Sequence, residues 1–293
     1  MSPSTGVRRK EEILSGVWRS PMRRLPVEFR TYARRKIFKP RTFNDSFDTW
    51  ESAVSASTGY GTEEVIASVV EATHRVVTGE AVYERDSITF TSPEYSWQIL
   101  SGLMLAAASE HSLRVVDFGG SLGSTFFQYR RFLQLLPQVE WSVVEQEAFI
   151  KAAQNHVHEP GLNFYGSFET ALEETMPSLI YFGSSLQYLK NPWATLKSAT
   201  FSSARYLIID RIPVTDLDEN KITVQIVPPE IYPASYPAWL FSKHELLHYL
   251  EEDWEVLSEF QSLGGQTYAS SGTPVTWWGI LCVRRPPDNG SLD

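Results

Sequence analysis

From Leu113 onward the chain alternates short runs rich in β-branched and aromatic residues with helix-patterned stretches, and this alternation narrows its fold most. Candidate strands are LRVVDF (113–118), EWSVVE (140–145), LNFYG (162–166), SLIYFGS (178–184), YLIIDR (206–211), WEVLSEF (254–260) and WWGILCV (277–283). Helical stretches near 123–136, 147–155, 168–175 and 192–203 separate the first five. A strand leading through a helix into the next strand makes a right-handed crossover, so a parallel sheet with helices on both faces is expected. The last two runs are joined by QSLGGQTYASSGTPV, which has no helical pattern, so they are expected to pair antiparallel. The expected class is therefore α/β and Rossmann-like: a seven-stranded, mostly parallel sheet with a C-terminal antiparallel hairpin.

The segments upstream read differently. Residues 42–112 are expected to form a helical cap. In it Glu63 and Glu64 follow the capping residue Thr62, and Val65, Ile66, Val69, Val70, Val76 and Val77 make one apolar stripe that ends at Gly79. A short extended piece at 87–90 and an apolar helix near 95–109 complete the cap. Residues 1–41 hold 12 of the 26 Lys and Arg but 3 of the 35 Asp and Glu, so this segment stands at +9 and the remainder at −18, for a total of −9. A basic arm bearing Trp18, Phe29, Tyr32 and Phe38 suits peripheral contact with an anionic membrane, at about 1 kcal/mol per surface Lys or Arg. A flexible leader would account for the same residues. Nucleic acid is disfavoured by the acidic body. No run approaches a membrane span, and the single cysteine, Cys282, permits neither an intrachain disulfide nor a multi-cysteine zinc site. A cytoplasmic location, with the arm at the inner membrane face, is the matching expectation. Residues 113–286 form the expected catalytic core, and 287–293 a flexible tail.

The first core strand runs into Asp117-Phe118-Gly119-Gly120-Ser121-Leu122-Gly123 and then a helix. Ligands of open parallel sheets bind beyond the C-terminal strand ends, where glycines allow close approach and a helix N-terminus offers free N–H groups. An aspartate ahead of the glycines disfavours a pyrophosphate and suits a cationic ligand; S-adenosyl-L-methionine carries an ammonium and a sulfonium. The loop is GGSLG rather than GxGxxG, so the dinucleotide fingerprint is absent. Glu145 ends the second strand, where a carboxylate can accept from both hydroxyls of a ribose, with Gln146 beside it. Ser167 and Phe168 at the third tip would flank an adenine, and Ser184, Ser185 and Gln187 at the fourth would line the methionine end.

These segments carry a family resemblance. VVDFGGSLGSTFFQYRRFL, WSVVEQ, LNFYGSFE, SSLQYLKNPW, LIIDRIPV and IYPASYPAWLFS, with FNDSFDTWESAVSASTGYG and GEAVYERDSITF upstream, resemble a bacterial family of class I S-adenosylmethionine-dependent methyltransferases. Its members often accompany surface-polysaccharide genes, and the likeness spans about Phe43 to Val283. It implies the methyltransferase fold and cofactor, and an acceptor on an envelope polysaccharide or its precursor. Ser121 departs from the wider D-x-G-x-G-x-G loop, standing where a glycine is usual.

An oxygen acceptor needs a general base within hydrogen-bond reach. Asp210 and Arg211 close the fifth strand, Tyr232, Tyr236 and Trp239 sit in a Pro-rich stretch expected as a rigid aromatic loop, and His244 opens a helix behind it. Asp210, Tyr236 and His244 are the catalytic candidates. Tyr83 and Arg85, in YERDS, are candidates for the cofactor's carboxylate. The sharpest rival motif is HELLH, His244 to His248, which has the H-E-x-x-H spacing of a zinc metallohydrolase. On a helical wheel its histidines share the polar face with Glu251 and Glu252, so a solvated pair is favoured and no metal is expected. The residues also leave open an NAD-dependent enzyme and a non-catalytic cofactor-binding homologue.

Overall fold

The computed structural model describes residues 41–44, 46–59, 63–227 and 234–286. Expectations for residues 1–40, Thr62, Pro228, Pro229, Tyr232, Pro233 and the tail 287–293 lie outside them.

Five strands, β4 (Leu113–Phe118), β5 (Val139–Val144), β6 (Leu162–Tyr165), β7 (Leu179–Gly183) and β8 (Tyr206–Thr215), form the parallel part of the sheet. They stand in the order β6-β5-β4-β7-β8. Between them run α4 (Ser124–Leu133), α5 (Glu147–His156), α6 (Phe168–Thr175) and α7 (Pro192–Phe201), close to where the sequence pattern puts helices. Capping explains two of these starts: Ser167 accepts from the N–H of Thr170, and Asn191 from that of Ala194 with Pro192 just inside the helix.

The strands alternate their side chains between two cores. Val115, Tyr181 and Ile208 face α4, α5 and two upstream helices, α2 (Glu63–Val77) and α3 (Trp97–Glu110). Val116, Ile180, Leu207 and Ile209 face α6, α7 and α8 (Lys243–Glu251). Each fully buried Val, Ile or Leu contributes about 1.5–3 kcal/mol of transfer free energy. Val65, Val69, Ala72 and Val76 of α2 are buried at the spacing of one helical face, and Gly79 (φ 81°) follows the helix.

The seven-stranded expectation is corrected. The sheet has ten strands, ordered β10-β9-β1-β11-β12-β8-β7-β4-β5-β6, and the added β10–β8 pairing closes six of them into a ring. The expected hairpin is present but longer: β11 (Trp254–Ala269) and β12 (Pro274–Arg284) absorb most of the stretch that reads as a loop. β12 pairs antiparallel with both β8 and β11. Three further strands are β1 (Arg41–Phe43), β9 (Lys221–Ile226) and β10 (Ser235–Ser242). The last holds the end of the Pro-rich stretch expected as a loop. Pro237 pairs with Val224 where β10 has β9 on one side only, a position that tolerates a residue without an N–H. A small hairpin, β2 (Tyr83–Arg85) with β3 (Ile88–Phe90), stands apart, and α1 (Trp50–Ser55) precedes α2. Among the described residues no helix is long and apolar enough to cross a membrane.

Strand β8 does not end at Asp210 and Arg211. It pairs with β7 as far as Gly183↔Asp210, Arg211 adopts φ 54°, and the strand continues to pair with β10 at Val214 and Thr215. The bend lets one strand serve two neighbours in succession.

Candidate functional site

The chain leaves β4 for β5 and β6 on one side and returns on the other through β7, so the order reverses beside β4. Open α/β sheets bind ligands at such a reversal, beyond the C-terminal strand ends. A cavity of about 940 Å³ opens there, near the upper limit for pockets that hold drug-sized molecules. It is lined by Asp117, Gly119, Gly120 and Ser121 after β4, Glu145 and Gln146 after β5, Ser167 and Phe168 after β6, and Ser184 and Ser185 after β7. Arg85 and Tyr236 also reach it; Tyr83, Gly123, Gln187, Asp210 and His244 do not line it.

The loop after β4 is shaped by close approach. A Cβ on Gly120 would stand 2.5 Å from Asp117 Oδ2, so only glycine lets the backbone pass over that carboxylate. Ser121 holds φ 56°, the left-handed region that glycine favours, where the usual loop has glycine. Gly123 caps α4 and would bring a Cβ within 2.9 Å of Leu162, so it serves packing rather than the cavity surface.

Five carboxyl groups line the cavity, those of Glu84, Asp86, Asp117, Glu145 and Glu169, and burial shifts three of them. Asp117, 1% exposed, accepts from Trp141 Nε1 at 3.0 Å, and its Oδ1 has no partner. Burial raises its pKa to about 7, against the lowering effects of Trp141 and Arg211. Glu145 Oε1 accepts from the N–H of Ser121 at 3.2 Å and Oε2 from that of Gln146 at 2.9 Å, while burial pushes its carboxyl up. Those two bonds leave lone pairs on both oxygens for a ligand. Glu84, which sequence reasoning missed, is buried between Tyr83 and Arg85, accepting from Ser124 Oγ and from the N–H of Ser87. Burial raises it too to about 7. Its neighbours in YERDS read as polar and clustered, but a three-residue strand gives no periodicity to show which side chain points inward.

Arg85 stands 5.3 Å over the Phe90 ring and 5.9 Å from that of Tyr83, and its Nη2 bonds Glu94 at 3.1 Å. Its Nη1 is buried without a partner, as are Ser87 Oγ and Ser185 Oγ, all on cavity-lining residues. Tyr83 is fully buried and donates to the same Glu94 carboxylate at 3.2 Å, so it braces Arg85 from behind. Gln187 is likewise buried, donating from Nε2 to Ser184 Oγ at 3.0 Å. Phe168 packs edge-on against Phe118 at 5.1 Å.

The catalytic candidates separate. Tyr236 on β10 lines the cavity. Asp210 lies beneath it, accepting from Ser262 Oγ at 2.6 Å and Tyr181 OH at 3.4 Å, with Arg211 Nε 3.8 Å from Oδ2. Burial alone would lower the Arg211 pKa, but Tyr181, Asp210 and Asp86 raise it above the ordinary value, so the guanidinium at the cavity wall stays charged. His244 and His248 are exposed on α8, whose Leu246 and Leu250 are buried. Among the described residues no group of three or more His, Cys, Asp or Glu is placed to hold a metal ion.

No protein-family model matches the chain, and no curated protein matches it in sequence. Among solved structures, the N-terminal domain of EvdMO1, crystallised with SAH and D-fucose, is similar at 15% identity and a TM-score of 0.45, over 73% of this chain and 96% of that one. The Burkholderia thailandensis 1,6-didemethyltoxoflavin-N1-methyltransferase is similar at 11% identity and a TM-score of 0.41, over 85% of this chain and 98% of that one. The [4+2]-cyclase SpnF is similar at 12% identity and a TM-score of 0.41, over 84% and 99%.

Proposed function

We propose that the chain is an S-adenosylmethionine-dependent methyltransferase. The observation that carries this reading is the unpartnered Oδ1 of buried Asp117, a residue in the wall of a cavity at the sheet's reversal point beside a glycine loop and Glu145. The strand order β6-β5-β4-β7-β8-β12-β11, with only β12 reversed, adds support as the class I methyltransferase arrangement.

The residues present fit the cofactor. Asp117 and Glu84 supply negative charge for a cationic ligand, and Arg85 Nη1 with Ser87 Oγ supplies donors for its carboxylate. Glu145 takes the ribose hydroxyls, Gln146, Ser167 and Phe168 flank the adenine, and Ser184 and Ser185 face the methionine end. When bound, the cofactor supplies an electrophilic methyl group on sulfur for in-line attack. The protein's part is to orient the reactants and exclude water, with the charges held by buried partners rather than solvent. Tyr236 is the catalytic candidate at the cavity surface. Asp210 is proposed to act through Arg211, which it holds in place.

The acceptor is proposed to be a hydroxyl of a sugar or related group on an envelope polysaccharide or its precursor, on the family resemblance. The arm 1–41 is proposed to contact an anionic membrane, on its charge of +9.

Calorimetric titration with S-adenosylhomocysteine tests the cofactor reading. Wild type is expected to bind, and Asp117→Ala and Glu145→Ala to bind at least tenfold more weakly. Folded wild-type protein that does not bind would end the methyltransferase reading.

A further inference from the structure

The cavity has two unlike ends. The charged side chains in its wall come from the β2–β3 hairpin, the tips of β4 and β5, the bend of β8 and the first turn of α6. The opposite end is built by segments outside the parallel strands: α1 and the residues after it, the 3₁₀ turn Leu186–Tyr188, α7 and β10. Its wall is formed by Val54, Thr58, Tyr188, Leu189, Thr195 and Tyr236, and among the described residues it presents no charge.

This end is fixed by its own bonds. Thr58 and Ser235 exchange contacts, Thr58 N–H to Ser235 Oγ at 3.1 Å and Ser235 N–H to Thr58 Oγ1 at 2.8 Å, and Gly59 N–H donates to Ser235 O at 3.1 Å. Trp50 of α1 stacks on Trp239 of β10 at 6.0 Å, and Trp239 Nε1 donates to Leu189 O at 2.9 Å. Tyr188 and Tyr236 meet edge to face at 5.7 Å, so two aromatic rings share the wall. Lys190 and Glu51, the ion pair of this region, are mostly exposed and bonded to each other rather than turned inward.

We infer that this uncharged aromatic end is the acceptor subsite and that it takes a neutral, hydroxyl-bearing ring while rejecting anionic acceptors. Ring faces stack on aromatic side chains, and the hydroxyls of Thr58 and Thr195 meet polar edges. A carboxylate or phosphate entering here loses its hydration without meeting a cation among the described residues of this end, and an unpaired buried charge is strongly penalised. Arg211, at the bend of β8, has its charge offset by buried Asp210, 3.8 Å away. The inference rests on the methyltransferase reading of the same cavity, and deepens it by naming the acceptor class.

The test uses a matched pair of probes, 4-nitrophenyl β-D-glucoside and 4-nitrophenyl β-D-glucuronide, titrated into the full chain saturated with S-adenosylhomocysteine. The glucoside is expected to bind at least tenfold more tightly than the glucuronide. Val54→Arg, at a half-exposed helix position, is expected to keep S-adenosylhomocysteine affinity and to shift the preference toward the glucuronide by at least tenfold. Equal binding of the two probes, preference of the wild type for the glucuronide, or retention of neither would overturn the inference, as would an unchanged preference in Val54→Arg. If S-adenosylhomocysteine itself does not bind, the methyltransferase reading fails first, so the two failures are distinguishable.

Discussion

Two carboxyl groups, Asp117 and Glu84, sit in one cavity with pKa values near 7, each raised first by burial. The folded state therefore binds more protons than the unfolded chain between about pH 4 and pH 7. Their contribution to stability is complete below the unfolded pKa values and is lost as pH rises through about 7. Thermal unfolding of the ligand-free protein is expected to fall in midpoint over that window, and Asp117→Asn to flatten the fall. A bound cation reverses the sign by favouring the ionised carboxylates. S-adenosylmethionine binding is expected to tighten from pH 6 to pH 8 and to release protons near pH 7, seen as a calorimetric enthalpy that varies with buffer ionisation enthalpy. At Gly120 the contact with Asp117 decides the outcome: Gly120→Ala forces the carboxylate or the loop aside, at about 1–3 kcal/mol in chemical denaturation and with weaker S-adenosylhomocysteine binding. The placement of Asp117, Gly119, Gly120 and Glu145 at the cavity was legible in sequence because strand ends and a glycine loop mark them, whereas Gly123 packs against Leu162 instead. Glu84 was not, since its inward direction depends on Ser124 from another element.

Among the elements, β8 carries the most consequence. Its bend at Arg211 is pinned from a strand distant in sequence: Ser262 of β11 accepts from Arg211 N–H at 3.1 Å and donates to Asp210 Oδ1 at 2.6 Å. Ser262→Ala leaves both groups without that partner, and is expected to cost about 1–3 kcal/mol and to weaken S-adenosylhomocysteine binding through a displaced Arg211. The strands β4 to β8 and their helices were readable from periodicity, because each element is bounded by a turn and buries a continuous apolar run. The ends of β8, β11 and β12 were not. The stretch after Phe260 contains Gly264 and Gly265 and reads as a loop, yet the β11–β12 ladder continues past the register shift they introduce. Likewise Pro237 argues against a strand in the sequence, yet β10 accommodates it because β9 pairs there on one side only.

For the whole molecule, the ring β10-β9-β1-β11-β12-β8 joins residues from both ends of the described chain, with Phe43 of β1 buried against Ala238, Leu240, Ala269 and Val275. Deleting residues 1–40 stops just short of β1, and is expected to leave S-adenosylhomocysteine affinity unchanged while reducing sedimentation with anionic vesicles; a collapse of affinity would place the arm within the fold. What the sequence by itself determined is the local part: strand–helix alternation, the glycine loop, the acidic strand tip, and the split of charge between arm and body. These follow from the order of neighbouring residues, since side-chain period and turn chemistry act over a few positions. Only the tertiary structure decided that three more strands close a ring, that Glu84 and Arg211 face the cavity, and that an uncharged aromatic wall stands opposite the charged one. Those features depend on pairings such as Thr58 with Ser235 and Arg41 with Tyr268, between segments far apart in the chain, and no local pattern encodes which distant strand will supply the partner.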